Sequence, residues 1–256
     1  MGTTAVEGYV LRGLGGDDTF NVTALANIGV TVQGDESANH TNVLNYTSVG
    51  GTTVELGNNE IEDAGVAGTP DVVYAGIDVI NVVAGGQNLT VQGSTGNDDL
   101  LVRPTGANSA TVIAEGQPIV NGSGIGTFTV DGNGGNDQVT VEGSAGADAF
   151  TTISDTLVAI TGAESVVLAN LGANDALTIN GFSGNDTFAV TPSANVPIFV
   201  SGGNPTASVP GDALNINAGR QRDRLPAGPT PDSGSFEIGR ECSGQLPGDR
   251  VGRVHR

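Results

Sequence analysis

The chain has no tryptophan and no lysine, one cysteine, one methionine and two histidines. Each scarcity closes a route. Without tryptophan, and with aromatic residues at only 4%, a core must be assembled from Val, Ile, Leu and Ala, which favours thin stacked layers over a thick globule. Cys242 stands alone, so neither an intramolecular disulfide nor a cysteine-based zinc cluster can form. The lack of lysine removes the phosphate loop that ends in Gly-Lys-Ser/Thr, and neither His-Glu-x-x-His nor the Gly-x-Ser-x-Gly elbow of serine hydrolases is present. His40, set among Asn and Thr, reads as a solvated loop residue. No apolar run of about 18 residues or more exists to make a membrane helix. The opening Met-Gly-Thr-Thr-Ala-Val-Glu-Gly has neither a basic region nor an apolar stretch, which is expected of a fragment whose export signal lies elsewhere.

Acid, by contrast, is abundant. All of the 28 Asp and Glu residues except Asp223, Asp232, Glu237, Glu241 and Asp249 precede residue 218, where the only bases are Arg12 and Arg103. Such a polyanion repels nucleic-acid phosphates, whose binding depends on Lys and Arg, and it repels anionic membrane surfaces. DNA, RNA and membrane insertion are therefore excluded as modes of action. Dense carboxylates attract hard, oxygen-seeking cations, so divalent cations such as Ca²⁺ are the expected small partners.

Glycine, at 41 residues, is arranged in a repeat. The unit Gly-x-x-Gly-x-Asp-x-apolar occurs at Gly13 to Phe20, Gly93 to Leu100, Gly132 to Val139, Gly143 to Phe150 and Gly181 to Phe188, and in a form lacking both glycines at Asn170 to Leu177. A frayed copy lies at Gly211-Asp212-Ala-Leu214. The steps from Asp98 to Asp137, Asp137 to Asp175 and Asp148 to Asp186 give a period of about 38 residues, with the best register over 93–190. Between the glycine turns lie short alternating runs such as Thr127-Phe-Thr-Val130, Gln138-Val-Thr-Val141 and Ala176-Leu-Thr-Ile179, which read as half-buried strands. No run of about ten residues has helical periodicity.

The expected fold is all-β, a right-handed parallel β-solenoid of short strands and Gly/Asn/Asp turns, with tandem β-sandwich repeats as the alternative. The period divides into two coils of about 19 residues, which would place Asp137 and Asp175 two coils, about 9.6 Å, apart. Residues 34–70 break the pattern and are expected as irregular coils with outward loops. The repeat domain is assigned to 1–217. Residues 218–256, holding seven of the nine arginines and the only cysteine, read as a disordered linker or a frameshifted tail.

The Gly-x-x-Gly-x-Asp-x-apolar units resemble the hemolysin-type, or RTX, calcium-binding nonapeptide, and the longer module looks like the repeats of very large secreted or surface-displayed bacterial proteins. The resemblance implies Ca²⁺ held by turn carbonyls and by Asp18, Asp98, Asp137, Asp148, Asp175 and Asp186, with Phe20, Leu100, Val139, Phe150, Leu177 and Phe188 pointing into the core. The units here come at best in pairs 11 residues apart instead of directly in tandem, so any ion needs local help. Asp17, Asn97, Asp99, Asn136, Asn174 and Asn185 are the adjacent candidates. The competing reading is that Asn-Asp after Gly simply makes the turn, with the carboxylate capping free backbone amides.

No catalytic constellation emerges, and the chain is read as a non-enzyme. It is expected to be an extracellular or cell-surface stalk or adhesive module, with surface glycans or other surface proteins as further partners. A metal-free spacer and a polysaccharide-acting β-helix are the alternatives. The second has little support, because only three Tyr and no Trp are available to stack on sugar rings.

Overall fold

A computed structural model describes residues 8–23, 28–34, 40–65, 72–204 and 211–217. The tail assigned to 218–256 lies outside the described residues. Within them the fold is all-β, without helix. The strands are β1 (Gly8–Arg12), β2 (Thr19–Thr23), β3 (Gly29–Gln33), β4 (Val43–Thr47), β5 (Thr52–Glu55), β6 (Glu60–Asp63) and β7 (Val72–Ala75). They continue as β8 (Val79–Val83), β9 (Leu89–Gln92), β10 (Asp99–Gly106), β11 (Ser109–Ala114), β12 (Ile119–Ser123), β13 (Phe128–Asp131) and β14 (Gln138–Glu142). The last are β15 (Ala149–Ile153), β16 (Leu157–Ile160), β17 (Val166–Ala169), β18 (Ala176–Asn180), β19 (Thr187–Val190), β20 (Ile198–Ser201) and β21 (Ala213–Ile216). Among the described residues no helix is long and apolar enough to cross a membrane.

Two sheets share these strands. The long sheet has twelve, in the order β1-β3-β7-β6-β5-β9-β13-β17-β16-β15-β19-β21, and the short sheet nine, in the order β2-β4-β8-β12-β11-β10-β14-β18-β20. Period-two sequences create the layering. In β3, Val30 and Val32 are buried while Thr31 is half-exposed, and β9, β11 and β16 alternate in the same way. The inward rows of both sheets merge into one apolar cluster, which includes all six apolar residues of the repeat units, from Phe20 to Phe188. Phe150 and Phe188, partners on β15 and β19, stack with ring centroids 5.0 Å apart. On the other face of the short sheet the side-chain amides of Asn45, Asn81 and Asn121 donate to the Oδ1 of Asn21, Asn45 and Asn81, respectively, at 2.9–3.0 Å. This amide ladder pins four parallel strands in register.

The sheets are mixed, which the expectation of a parallel stack did not foresee. Three antiparallel meanders, β5-β6-β7, β10-β11-β12 and β15-β16-β17, fall in the long, short and long sheets in turn. Each skips ahead along its sheet and folds back. Thus β5 leaves two places vacant beyond β3, and β6 and β7 fill them. The remaining pairings are parallel. Residues 43–63, expected to be irregular, supply β4, β5 and β6.

Asp63, at the end of β6, holds the first meander against β4. Its carboxylate accepts the Tyr46 hydroxyl at 2.9 Å and the backbone amides of Val49, Gly50 and Gly65 at 2.7–2.9 Å. Burial, followed by the bond to Asp63, pushes the Tyr46 hydroxyl well above its ordinary titration range.

Candidate functional site

The glycine-aspartate turns sit just before strands, and the register carries their acids into rows. In the short sheet the amide of Asp98 donates to Asp137 Oδ1 at 2.9 Å, and the amide of Asp137 donates to Asp175 Oδ1 at 2.7 Å. A second row runs through the long sheet, where the amide of Asp148 donates to Asp186 and that of Asp186 to Asp212, at 2.8 and 2.9 Å. The third begins at Asp18, whose amide donates to Asn42 Oδ1 at 3.2 Å, and the amide of Asn42 donates to Asp78 at 2.7 Å. Each carboxylate or amide oxygen thereby replaces a carbonyl at the place where a strand begins, continuing the ladder into the turn.

These contacts correct the expected spacing. Asp137 and Asp175 are one strand apart and directly bonded, because the 38 residues between them make one short-sheet strand and a three-stranded meander opposite it. Where no meander intervenes the step is shorter, 24 residues from Asp18 to Asn42 and 26 from Asp186 to Asp212.

Two kinds of turn emerge. In the Gly93 and Gly143 copies the residue after the first glycine is serine, and the amide of Ser94 or Ser144 donates to Oδ2 of Asp98 or Asp148 at 2.7 Å, with the serine hydroxyl bonding the same carboxylate. In the Gly132 and Gly181 copies that position is Asn133 or Phe182, which adopts a left-handed backbone, φ 61° or 67°. Its amide turns away, to Asp131 Oδ1 at 2.8 Å or Asn180 Oδ1 at 3.2 Å. The Oδ2 atoms of Asp137 and Asp186 are consequently buried without a hydrogen-bond partner, as is that of Asp18.

The glycines answer to close approach. A Cβ on Gly132 would lie 2.5 Å from Asp137 Oδ2, because the carboxylate folds back over that residue, and the same relation recurs at Gly93, Gly143 and Gly181. Gly135 has φ +113° and faces the neighbouring turn so closely that a Cβ would sit 2.0 Å from the Gly96 carbonyl oxygen. A serine-type turn is thus stacked against a left-handed one.

The adjacent candidates are divided. Asn97 Oδ1 accepts the Asn136 amide at 2.9 Å, tying neighbouring turns, and Asp17 accepts the Thr41 amide at 2.8 Å with His40 Nδ1 at 3.6 Å. Asp99, Asn136, Asn174 and Asn185 are exposed. Asp175 caps its own turn through the Gly172 amide. Among the described residues no three His, Cys, Asp or Glu side chains converge as a metal-holding group, so a cation would have to recruit turn carbonyls and asparagines. Sequence reasoning missed Asp131, which accepts from Asn133, Gln92 and Asn170 and so links three strands. Its signal is weak: an acid ending the alternating Phe-Thr-Val run, where the notable glycines follow.

Burial raises the carboxyls of Asp137 and Asp186 above the ordinary range. The neighbouring charges of Asp175, Asp98 and Asp131, or of Asp212 and Asp148, add to this, and the amide donated to each opposes it. Burial likewise raises Glu164. A raised acid binds more protons folded than unfolded, so its contribution to stability improves as pH falls. Thermal melting is expected to move upward as pH falls from above the ordinary carboxylate range toward it, and Asp137→Asn with Asp186→Asn should flatten the rise. A midpoint that falls over that interval contradicts the arrangement.

Compared with family models, curated proteins and solved structures, the chain matches none of them. The likeness to the hemolysin-type repeat therefore stands on the turn motif alone.

Proposed function

We propose that the chain is a non-catalytic spacer of a secreted or surface-displayed bacterial protein, a β-solenoid segment whose turns are closed chiefly by its own groups. The observation that carries this is the aspartate row, in which carboxylates are engaged by the amides that begin the neighbouring strand. Such turns need no ion to form. Twelve strands at about 4.8 Å give a stack about 50 Å long, a useful length for holding other modules away from a surface. The excess of outward acid discourages adhesion to nucleic acid and anionic membranes, leaving glycans or surface proteins as contacts for the exposed faces.

A second reading is favoured by the unpartnered Oδ2 atoms of Asp18, Asp137 and Asp186, two of them in the glycine-richest copies. Here Ca²⁺ joins those carboxylates with turn carbonyls and stiffens the stack. Calcium titration followed by melting separates the two. An ion present at about 100 times its Kd stabilises by about 2.7 kcal/mol, which for a chain of this size raises Tm by about 5–10 °C. The spacer reading expects a shift of less than about 2 °C at millimolar Ca²⁺ after removal of metal with chelator; the larger shift would establish the second reading in its place.

A further inference from the structure

We infer that the two ends of the stack are complementary docking edges, and that their occupant is a second copy of this chain, added head to tail. Among the described residues, β1 and β2 at one end, and β21 and β20 at the other, have a strand on one side only. Among the described residues nothing polar closes these ends. Tyr9 and Leu214 lie in the inward rows, beside Val30 and Phe188 respectively. Those partners are 5% and 2% exposed, whereas Tyr9 is 47% and Leu214 46% exposed, so among the described residues the inward rows are open at both ends. Stacked repeats ordinarily carry a polar cap where they stop.

The two cuts fit each other in direction, phase and chemistry. Through the pairings, β1 and β21 run the same way, because the antiparallel turns of each meander cancel in pairs; the same holds for β2 and β20. In a parallel ladder, alternate residues turn their amide and carbonyl to opposite neighbours. At β21 the amides of Ala213 and Asn217 bond back to the preceding strand line, which leaves Leu214 and Ile216 facing the open side. At β1 the amide of Gly13 bonds toward β3, so Tyr9 and Leu11 face inward along the ladder and Val10 and Arg12 face out. If Leu214 is set beside Tyr9 and Ile216 beside Leu11, the open amides and carbonyls of the two edges interlock while the inward rows continue.

The short sheet has the same phase. Leu177 donates to Pro197 and Gly181 to Ser201, leaving Ile198 and Val200 open on β20, whereas Val43 donates to Asp18 and leaves Thr19 and Asn21 open on β2. Both layers therefore match with one displacement along the stack. Such a contact is heterologous and does not close, so it propagates as a filament. The net charge of −19 opposes it, and added salt should favour it.

Sedimentation velocity on the full chain, over a range of protein and NaCl concentrations, tests the inference. The expected result is a mass that grows with concentration and more steeply at high salt. Tyr9→Arg spoils one edge and Leu214→Arg the other, so each variant alone should remain monomeric. Their equimolar mixture should give a 1:1 dimer, twice the monomer mass, and nothing larger. Circular dichroism checks folding, and Ile216→Pro, which removes an outward amide without touching the bond to β19, serves if Leu214→Arg unfolds. A wild-type chain that stays monomeric at every salt concentration overturns the inference, and protected Leu214 and Ile216 amides in hydrogen exchange would then assign the edge to the chain's own flanks. Variants that assemble like wild type, or a mixture that stays monomeric, overturn it equally.

Discussion

Gly135→Ala is expected to destabilise the fold by about 3–5 kcal/mol, read from urea unfolding. Two costs combine. Holding a non-glycine residue at φ +113° costs on the order of 1–3 kcal/mol. The new methyl also lies 2.0 Å from a backbone oxygen of the neighbouring turn, which cannot move aside as a flexible side chain could. Gly134→Ala separates the terms, since Gly134 has φ +98° but no atom within 4 Å of a built Cβ. That variant should lose only about 1–3 kcal/mol. Equal losses would show that the close approach of the Gly96 and Gly135 turns contributes nothing to stability.

Asp63→Ala is expected to cost a similar amount, about 3–5 kcal/mol, through a different mechanism. The carboxylate serves one hydroxyl and three backbone amides, and each buried donor left unsatisfied costs about 1–3 kcal/mol. Water entering the vacated space limits the total. Tyr46→Phe, which leaves the amide bonds intact, should cost about 1 kcal/mol, and near-equal losses in the two variants would show that the amides do not depend on Asp63. Because Asp63 fastens β6 against the Tyr46 strand, its loss should also speed hydrogen exchange in β5 and β6 before the rest of the chain.

The residues that made strands and core legible were those with strict alternation. Val139 and Val141, or Leu177 and Ile179, announce an inward row, and the acids before them announce a turn whose place in the ladder repeats. What sequence did not disclose was chain routing. Leu157-Val-Ala-Ile160 in the third meander looks like any parallel strand, because alternation records which face is buried and not which way the neighbour runs. The period of about 38 residues was visible, yet its division into two equal coils was unfounded, since a meander and a short strand fill the same length. Serine against asparagine or phenylalanine after the first glycine does distinguish the two turns, and it could be read once the destination of that amide was known. Asp63 gave no warning: within Glu60-Ile-Glu-Asp63 it resembles surface acid, and its partners Tyr46, Val49 and Gly50 come from β4, in the other sheet, and the bend after it.

The meanders also bear on how such a stack comes apart under load. In a simple coil the last strand in the chain is always the outermost, so the end can fray one rung at a time. Here, once β21, β20, β19 and β18 have detached, the next strand in the chain, β17, is enclosed between β13 and β16, and β15 stands outside it. Unravelling from the C-terminal side must halt there until three strands yield together. A tether of this design would lengthen in discrete jumps, each preceded by resistance, with the stitched triplets acting as catches along its length.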